Sequence, residues 1–269
     1  MNMAAFTVKS SAAIDDVNER YRDKCHAVKK HKPGTHKLLE TFAALAQDEF
    51  NHRQAGNPQS QDDLWVKLYD HNKDKQSGVT GKLLRKHLRE FLENEQGNKC
   101  CYCQRPLVNI SHAKPIEHVL PRQPFVQHTF NFWNLAVACF DCNHAKSNKF
   151  WVNQALADEA EYPSPKDFVD SYHPRFHIYD EHVRFVRVQT NSVNISLYVG
   201  QTEQGKNLCK NLLKTISAKD ILLCSNLVLK QSIDKLYDHM PSLDGEAAAA
   251  VEDFNRSLSN ITLKLIEEQ

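Results

Sequence analysis

Of the chain's eight cysteines, four fall in two Cys-x2-Cys pairs. Cys100 and Cys103 stand in "KCCYCQRPL", and Cys139 and Cys142 in "ACFDCNHAKSNK". Two such knuckles, with 35 residues between Cys103 and Cys139, are how a chain wraps four thiolates round a tetrahedral Zn²⁺. Four thiolates fill the coordination sphere and leave no open position, so this zinc is expected to be structural. A redox Cys-x-x-Cys does not explain the second pair. Cys101 reads as a bystander, and Cys25, Cys209 and Cys224 lie in helical patterns and read as core. A zinc deaminase needs His-x-Glu ahead of its Pro-Cys-x-x-Cys, and no His-x-Glu stands there.

Between the knuckles lies "PIEHVLPR", a short strand-like stretch with Glu117 and His118 adjacent. Neighbours in a strand point to opposite faces. One can hold a metal while the other faces a water, provided a twist or bulge brings both to one site. Asn134 sits in "NFWNLAVAC" just before the second knuckle, and Asn143 directly follows its last cysteine.

The elements that must position these residues fall into three blocks. Residues 1–98 read as a helical N-terminal region. "DDLWVKLYDHNKD" puts Leu64, Trp65 and Leu68 on one face, and "GKLLRKHLREFLENEQGNK" repeats Leu84, Leu88, Phe91 and Leu92 at helical spacing, with Gly97 as its stop. The polar run "NHRQAGNPQSQ" over 51–61 reads as a loop or a mobile linker. Residues 99–152 hold the cysteines and many aromatics without periodicity, as expected where a metal replaces part of a core. Phe125, Phe130, Phe132 and Trp133 could stack on bases, but packing round the zinc is the favoured role. Residues 153–269 follow the loop "EYPSPKD". There "RFHIYDEHVRFVRVQTNSVNISLYVG" reads as two or three strands, with turns near Asp180-Glu181 and Thr190-Asn191, and helices complete the chain. Ala247, Val251, Phe254, Leu258, Ile261 and Leu265 form a heptad-like seam. So narrow a stripe raises the hypothesis of a helix over 245–267 at a subunit interface, with packing on the chain's own third block as the leading reading.

Composition is that of a soluble globular chain, 41% hydrophobic and 25% charged. No apolar run approaches a membrane span and no signal peptide opens the sequence, so a cytoplasmic, thiol-reducing location is expected. Net charge is only +1, but residues 99–150 carry six Lys/Arg against two acids, a local +4. A basic segment in a near-neutral chain hints at a phosphate-bearing ligand.

The order Cys-x2-Cys, then Glu-His-Val-x-Pro, then Asn-Leu-x3-Cys-x2-Cys-Asn-x2-Lys, resembles the HNH endonucleases of the ββα-metal fold over residues 99–149. The resemblance implies that His118 is the general base. It implies that Glu117 and Asn143 hold one catalytic divalent cation, Mg²⁺ in the first instance, and that Asn134 orients the base or braces its loop. The chain departs from the commonest pattern in having Glu117 where Asp is usual and Asn143 where many members have His; His144 competes with Asn143 as the last ligand. "LENEQGNKCCYC" and "IEHVLPR" before "FWNLAVACFDCN" are similar, more narrowly, to the HNH subunit of Septu and retron anti-phage systems. That likeness implies an effector nuclease paired with an SMC-like ATPase.

The residue types suit phosphodiester hydrolysis, with DNA expected ahead of RNA. A neutral imidazole of ordinary pKa accepts a proton from water near pH 7. A hard cation on oxygen ligands polarises the phosphate and steadies the leaving oxygen. Arg122 and Lys146 are the candidate phosphate contacts. The sequence thus predicts a mostly helical α+β chain with a zinc-stapled ββα-metal HNH core between helical and hairpin-plus-helix flanks. The competing reading is a zinc-ribbon nucleic-acid-binding or adaptor protein without catalysis.

Overall fold

The computed structural model describes residues 8–21, 32–60, 62–75, 78–107, 114–149, 159–189 and 194–226, with scattered helical positions between 228 and 257. The chain is α+β, with two small antiparallel sheets among the described residues. It divides into two compact units, Met1–Ile178 and Tyr179–Gln269. The helical N-terminal region and the cysteine-rich stretch therefore share one unit, which also takes in residues 159–178. Among the described residues no helix is long and apolar enough to cross a membrane.

In the first unit, α1 (Ser11–Arg20) is followed by α2 (Lys32–Gln54), α3 (Leu64–Asp70) and α4 (Gly81–Glu95). The last two start where the sequence supplies caps. Asp63 accepts from the backbone N–H of Trp65 and Val66, and Thr80 accepts from Leu83. α4 buries Leu84, Leu88, Phe91 and Leu92 and ends at Gly97, whose φ of +62° suits glycine. Gly81 is needed for a different reason: a Cβ there would lie 1.5 Å from the carbonyl oxygen of Leu68. α3 and α4 can meet only at that glycine. The stretch expected as loop over 51–61 is helical through Gln54, and the chain turns at Gly56 with φ +79°.

Two short strands follow, β1 (Ile116–His118) and β2 (Leu135–Val137), and then α5 (Phe140–Lys146). The strands pair antiparallel with Glu117 opposite Ala136 and His118 opposite Leu135. Gln96 fastens the end of α4 to this sheet. Its amide nitrogen donates to the Lys99 and Val137 carbonyls, and its carbonyl accepts from the Val137 N–H at 2.7 Å. Behind the sheet, Leu120, Phe125, Phe168 and Phe176 form a buried cluster joined by Ile14, Trp133 and Tyr162. Phe125, Phe130 and Phe132 are all buried, so these aromatics serve packing.

The second unit opens with α6 (Tyr179–His182), then β3 (Val183–Gln189) paired antiparallel with β4 (Asn194–Gly200). The expected turn at Asp180-Glu181 is thus the first turn of a helix, where acidic side chains favour the N-terminal dipole. α7 (Glu203–Leu208), a π-helical turn over Cys209–Leu213, and α8 (Lys214–Ser225) follow. α8 packs on β4, and Ser217 Oγ donates to the Ser196 carbonyl at 2.7 Å. Of the C-terminal seam, Ala247 and Phe254 are helical and Phe254 is exposed. Val251, Leu258, Ile261 and Leu265 lie outside the described residues.

Candidate metal centre and active site

The four knuckle cysteines come together as a buried cluster whose sulfurs all lie within 4.8 Å of one another. Cys100 and Cys103 sit in the tight turn after α4. That turn is closed by the Cys100 N–H on the Arg105 carbonyl and by the Gln104 N–H on the Cys100 carbonyl, with Gln104 at φ +56°. Cys139 is the N-cap of α5 and Cys142 lies in its first turn. Cys103 Sγ and Cys139 Sγ are 3.7 Å apart. A disulfide needs about 2.05 Å, whereas a tetrahedron with Zn–S bonds of about 2.3 Å sets sulfurs about 3.8 Å apart. The spacing is one that a zinc ion could fill.

Burial raises the Cys100 thiol, but bonds from Cys101, Cys103, Cys139 and Cys142 outweigh it and hold the group well below the usual thiol range. Burial together with the neighbouring sulfurs pushes Cys142 well up, and the sulfurs of Cys100 and Cys103, against that of Cys142, push up Cys139. Ionising all four sulfurs in this volume would call for a cation among them. Arg105, just past the first knuckle, pairs with Asp141 of the second at 2.9 Å. Cys101 is buried beside the cluster and outside it, its N–H on the Val137 carbonyl. Cys209 is half-buried, with burial raising its thiol to about 11.

Glu117 and His118 point to opposite faces of β1, as strand geometry dictates. The Glu117 carboxylate is 3% exposed. Its Oε1 accepts from Lys146 Nζ at 2.6 Å and from the Tyr102 hydroxyl at 3.3 Å. Burial pushes its pKa above the usual carboxylate range, against the pull of Lys146. Lys146 was expected at a phosphate. It is instead 2% exposed, and its ammonium also donates to the His118 carbonyl at 2.9 Å.

This arrangement does not fit the divalent cation expected at Glu117. The carboxylate already has a full positive charge against it. A second cation about 4 Å from that ammonium would be repelled by about 4 kcal/mol per unit charge at an effective dielectric near 20. Asn143 is half-buried on α5, and the ring of its rival His144 stacks on Phe140 with centroids 5.7 Å apart. Among the described residues, the cysteines form the only group of three or more His, Cys, Asp and Glu side chains that could share an ion.

His118 faces the other way, into an aromatic wall. The Trp65 ring meets it edge-on at 4.6 Å, and only 7% of the residue is exposed. Its Nε2 lies 3.0 Å from the Thr129 carbonyl oxygen. A carbonyl only accepts, so Nε2 carries the hydrogen and the lone pair of the neutral ring sits on Nδ1. Burial, then the charge of Arg122, holds the imidazole well below its usual pKa. The ring is therefore neutral at pH 7, its lone pair on Nδ1, and burial works against its protonation.

Asn134 braces the loop that follows the histidine. It is fully buried, accepts from the Leu120 N–H at 2.7 Å, and donates to the Leu120 and His128 carbonyls at 3.0 Å. The Tyr162 hydroxyl also reaches its carbonyl oxygen, at 3.3 Å, and meets His173 Nε2 at 2.8 Å. His173 Nδ1 accepts from the Arg175 N–H, so Nε2 is the donor and the chain of bonds runs one way toward Asn134. Sequence reasoning missed Trp65, Tyr162 and His173. They stand 53, 44 and 55 residues from His118, and no local pattern announces them.

Arg122 is on the surface. Its guanidinium takes both oxygens of Asp63, at 2.5 and 2.6 Å. The pair is more than a third exposed, so it adds little stability and can exchange for another anion. Both residues line a polar cleft of 260 Å³ that also takes in Thr129, Ser60, Gln123 and Asn148.

The buried histidines set a pH dependence. Burial holds His128 down at about 4 and His173 well below the usual range. Below about pH 6.5 the unfolded chain takes up protons that the folded chain refuses. Stability is therefore full above that pH and is lost as pH falls toward 4, by roughly 3 kcal/mol for a group shifted as far as His128. Urea unfolding of the wild type and His128→Gln between pH 7 and pH 5 is expected to show a shallower pH slope in the variant.

No family model, no curated protein and no solved structure matches the chain.

Proposed function

We propose that this chain is a nucleic-acid phosphodiester hydrolase of the HNH type, with His118 as its general base. One observation carries the reading: a neutral imidazole at the end of β1, its Nε2 hydrogen spent on the Thr129 carbonyl and its lone pair on Nδ1. The setting supports it. Strand, strand and helix follow one another, the histidine ends the first strand, Asn134 braces the loop behind it, and a four-cysteine cluster pins both ends. In this scheme Nδ1 accepts the proton of the attacking water as its oxygen bonds to phosphorus, the P–O bond to the leaving sugar oxygen breaks, and that oxygen takes a proton from solvent. Arg122 leaves Asp63 for the phosphate and offsets its charge. The cleft beside Thr129 is the approach we assign to the substrate, with DNA the first candidate. No step is drawn through a cation at Glu117.

The narrower resemblance places such a nuclease as the effector of an anti-phage system with an SMC-like ATPase partner, and the C-terminal seam is the candidate docking helix. A second reading has a specific observation behind it. His118 is under Trp65 and Glu117 is neutralised by Lys146, as would suit a zinc-stapled binding or adaptor protein. Incubating the zinc-loaded chain with supercoiled plasmid, single-stranded DNA and RNA, with and without Mg²⁺, separates the two. Endonucleolytic products are expected from the hydrolase. Binding without cleavage of any of the three would favour the adaptor.

A further inference from the structure

The Glu117–Lys146 pair is bound up with both the zinc cluster and the histidine. Lys146 is four residues beyond Cys142, one helical turn along the same face of α5. Cys142 fixes that face at the metal cluster. From the last turn of the helix, the ammonium reaches two successive residues of β1, the Glu117 carboxylate at 2.6 Å and the His118 carbonyl at 2.9 Å. Tyr102, inside the first knuckle, gives the same carboxylate a second hydrogen bond. One side chain thus couples the cysteine cluster to the backbone that carries His118, and its charge is met by a single buried carboxylate.

We propose that the Lys146 ammonium holds the place on Glu117 that the resemblance gives to a divalent cation. Lys146 is then a positioning residue for His118, and Glu117 is its counter-ion rather than a metal ligand. The inference rests on the hydrolase reading only for what is being positioned; the occupancy of Glu117 stands apart from it. Removing the ammonium frees the β1 tip and leaves a buried carboxylate without its partner. The histidine then moves off line while the substrate-binding surface is untouched.

Manganese binding to the zinc-loaded full chain, read by electron paramagnetic resonance, tests the occupancy without any need for activity. Wild type and Glu117→Gln are expected to bind the same number of Mn²⁺ ions; loss of one ion in Glu117→Gln overturns the proposal. On the substrate that the wild type cuts, Lys146→Gln is expected to lower kcat on the order of 10- to 100-fold with KM unchanged, as for a reacting group held slightly out of place. A wild-type kcat in a folded Lys146→Gln overturns the positioning role. If that variant does not fold, Glu117→Gln/Lys146→Met, which removes both charges together, replaces it under the same criterion. A wild type that cuts nothing defeats the hydrolase reading, and the Mn²⁺ comparison then decides on the pair alone.

Discussion

Cys103→Ser is expected to abolish zinc binding and, with it, cooperative folding of the first unit. The cysteine sulfur is fully buried and lies within 4.8 Å of three others. Around this cluster meet the end of α4, β2 and the start of α5, whose buried side chains Leu92, Leu135 and Val137 lie alongside it. Gln96 ties α4 to β2, and Arg105 ties one knuckle to the other, but each such bond adds only about 1 kcal/mol net. Metal binding in a four-cysteine site is folding free energy of about 10 kcal/mol or more at neutral pH, comparable with the whole stability of a domain. A hydroxyl is a poor ligand for zinc beside three thiolates. The wild type is expected to carry one Zn²⁺ per chain by elemental analysis and to lose its melting transition on strong chelation. Cys103→Ser is expected to purify with less than one zinc and without that transition. Zinc-free wild type with an unchanged melt would contradict this account.

The cysteine cluster was legible because its spacing alone dictates its chemistry: each i,i+3 pair turns two sulfurs toward one point. α4 was legible because Leu84, Leu88, Phe91 and Leu92 keep strict helical period between Thr80 and Gly97. The opposite facing of Glu117 and His118 follows from strand geometry. The role of Lys146 was misread because a lysine near a proposed site is ordinarily a surface cation. The i,i+4 relation to Cys142 was the available signal, since Lys146 lies on the face of α5 that carries this buried cysteine inward. The extent of the loop at 51–61 was overdrawn because polar residues on an exposed helix face resemble a loop; Gly56 was the better marker of its end. Trp65 over His118, and Tyr162 and His173 behind Asn134, are long-range contacts set by how elements pack. The turn expected at Asp180-Glu181 failed because acidic residues serve a helix N-terminus as readily as a turn.

His118→Ala is expected to carry the largest effect on chemistry. A positioned base contributes on the order of 10²–10⁴ to rate, and the His118 ring is held between Trp65 and the Thr129 carbonyl. The variant removes the imidazole from a buried wall, so some stability is lost with the packing. The cysteine centre on the other face of β1 is not touched, and zinc content is expected to be unchanged. Binding of nucleic acid is likewise expected to persist, because Arg122 and the polar cleft remain. His118→Gln fills more of the same space without a basic nitrogen and guards against a folding artefact.

The most direct test of the hydrolase reading is the cleavage rate of zinc-loaded wild type set against His118→Ala and His118→Gln on one substrate, with zinc content and melting recorded for each. The account predicts cleavage by the wild type and a fall of about 10²-fold or more in both folded, zinc-bearing variants. Folded variants that cut at the wild-type rate would contradict it.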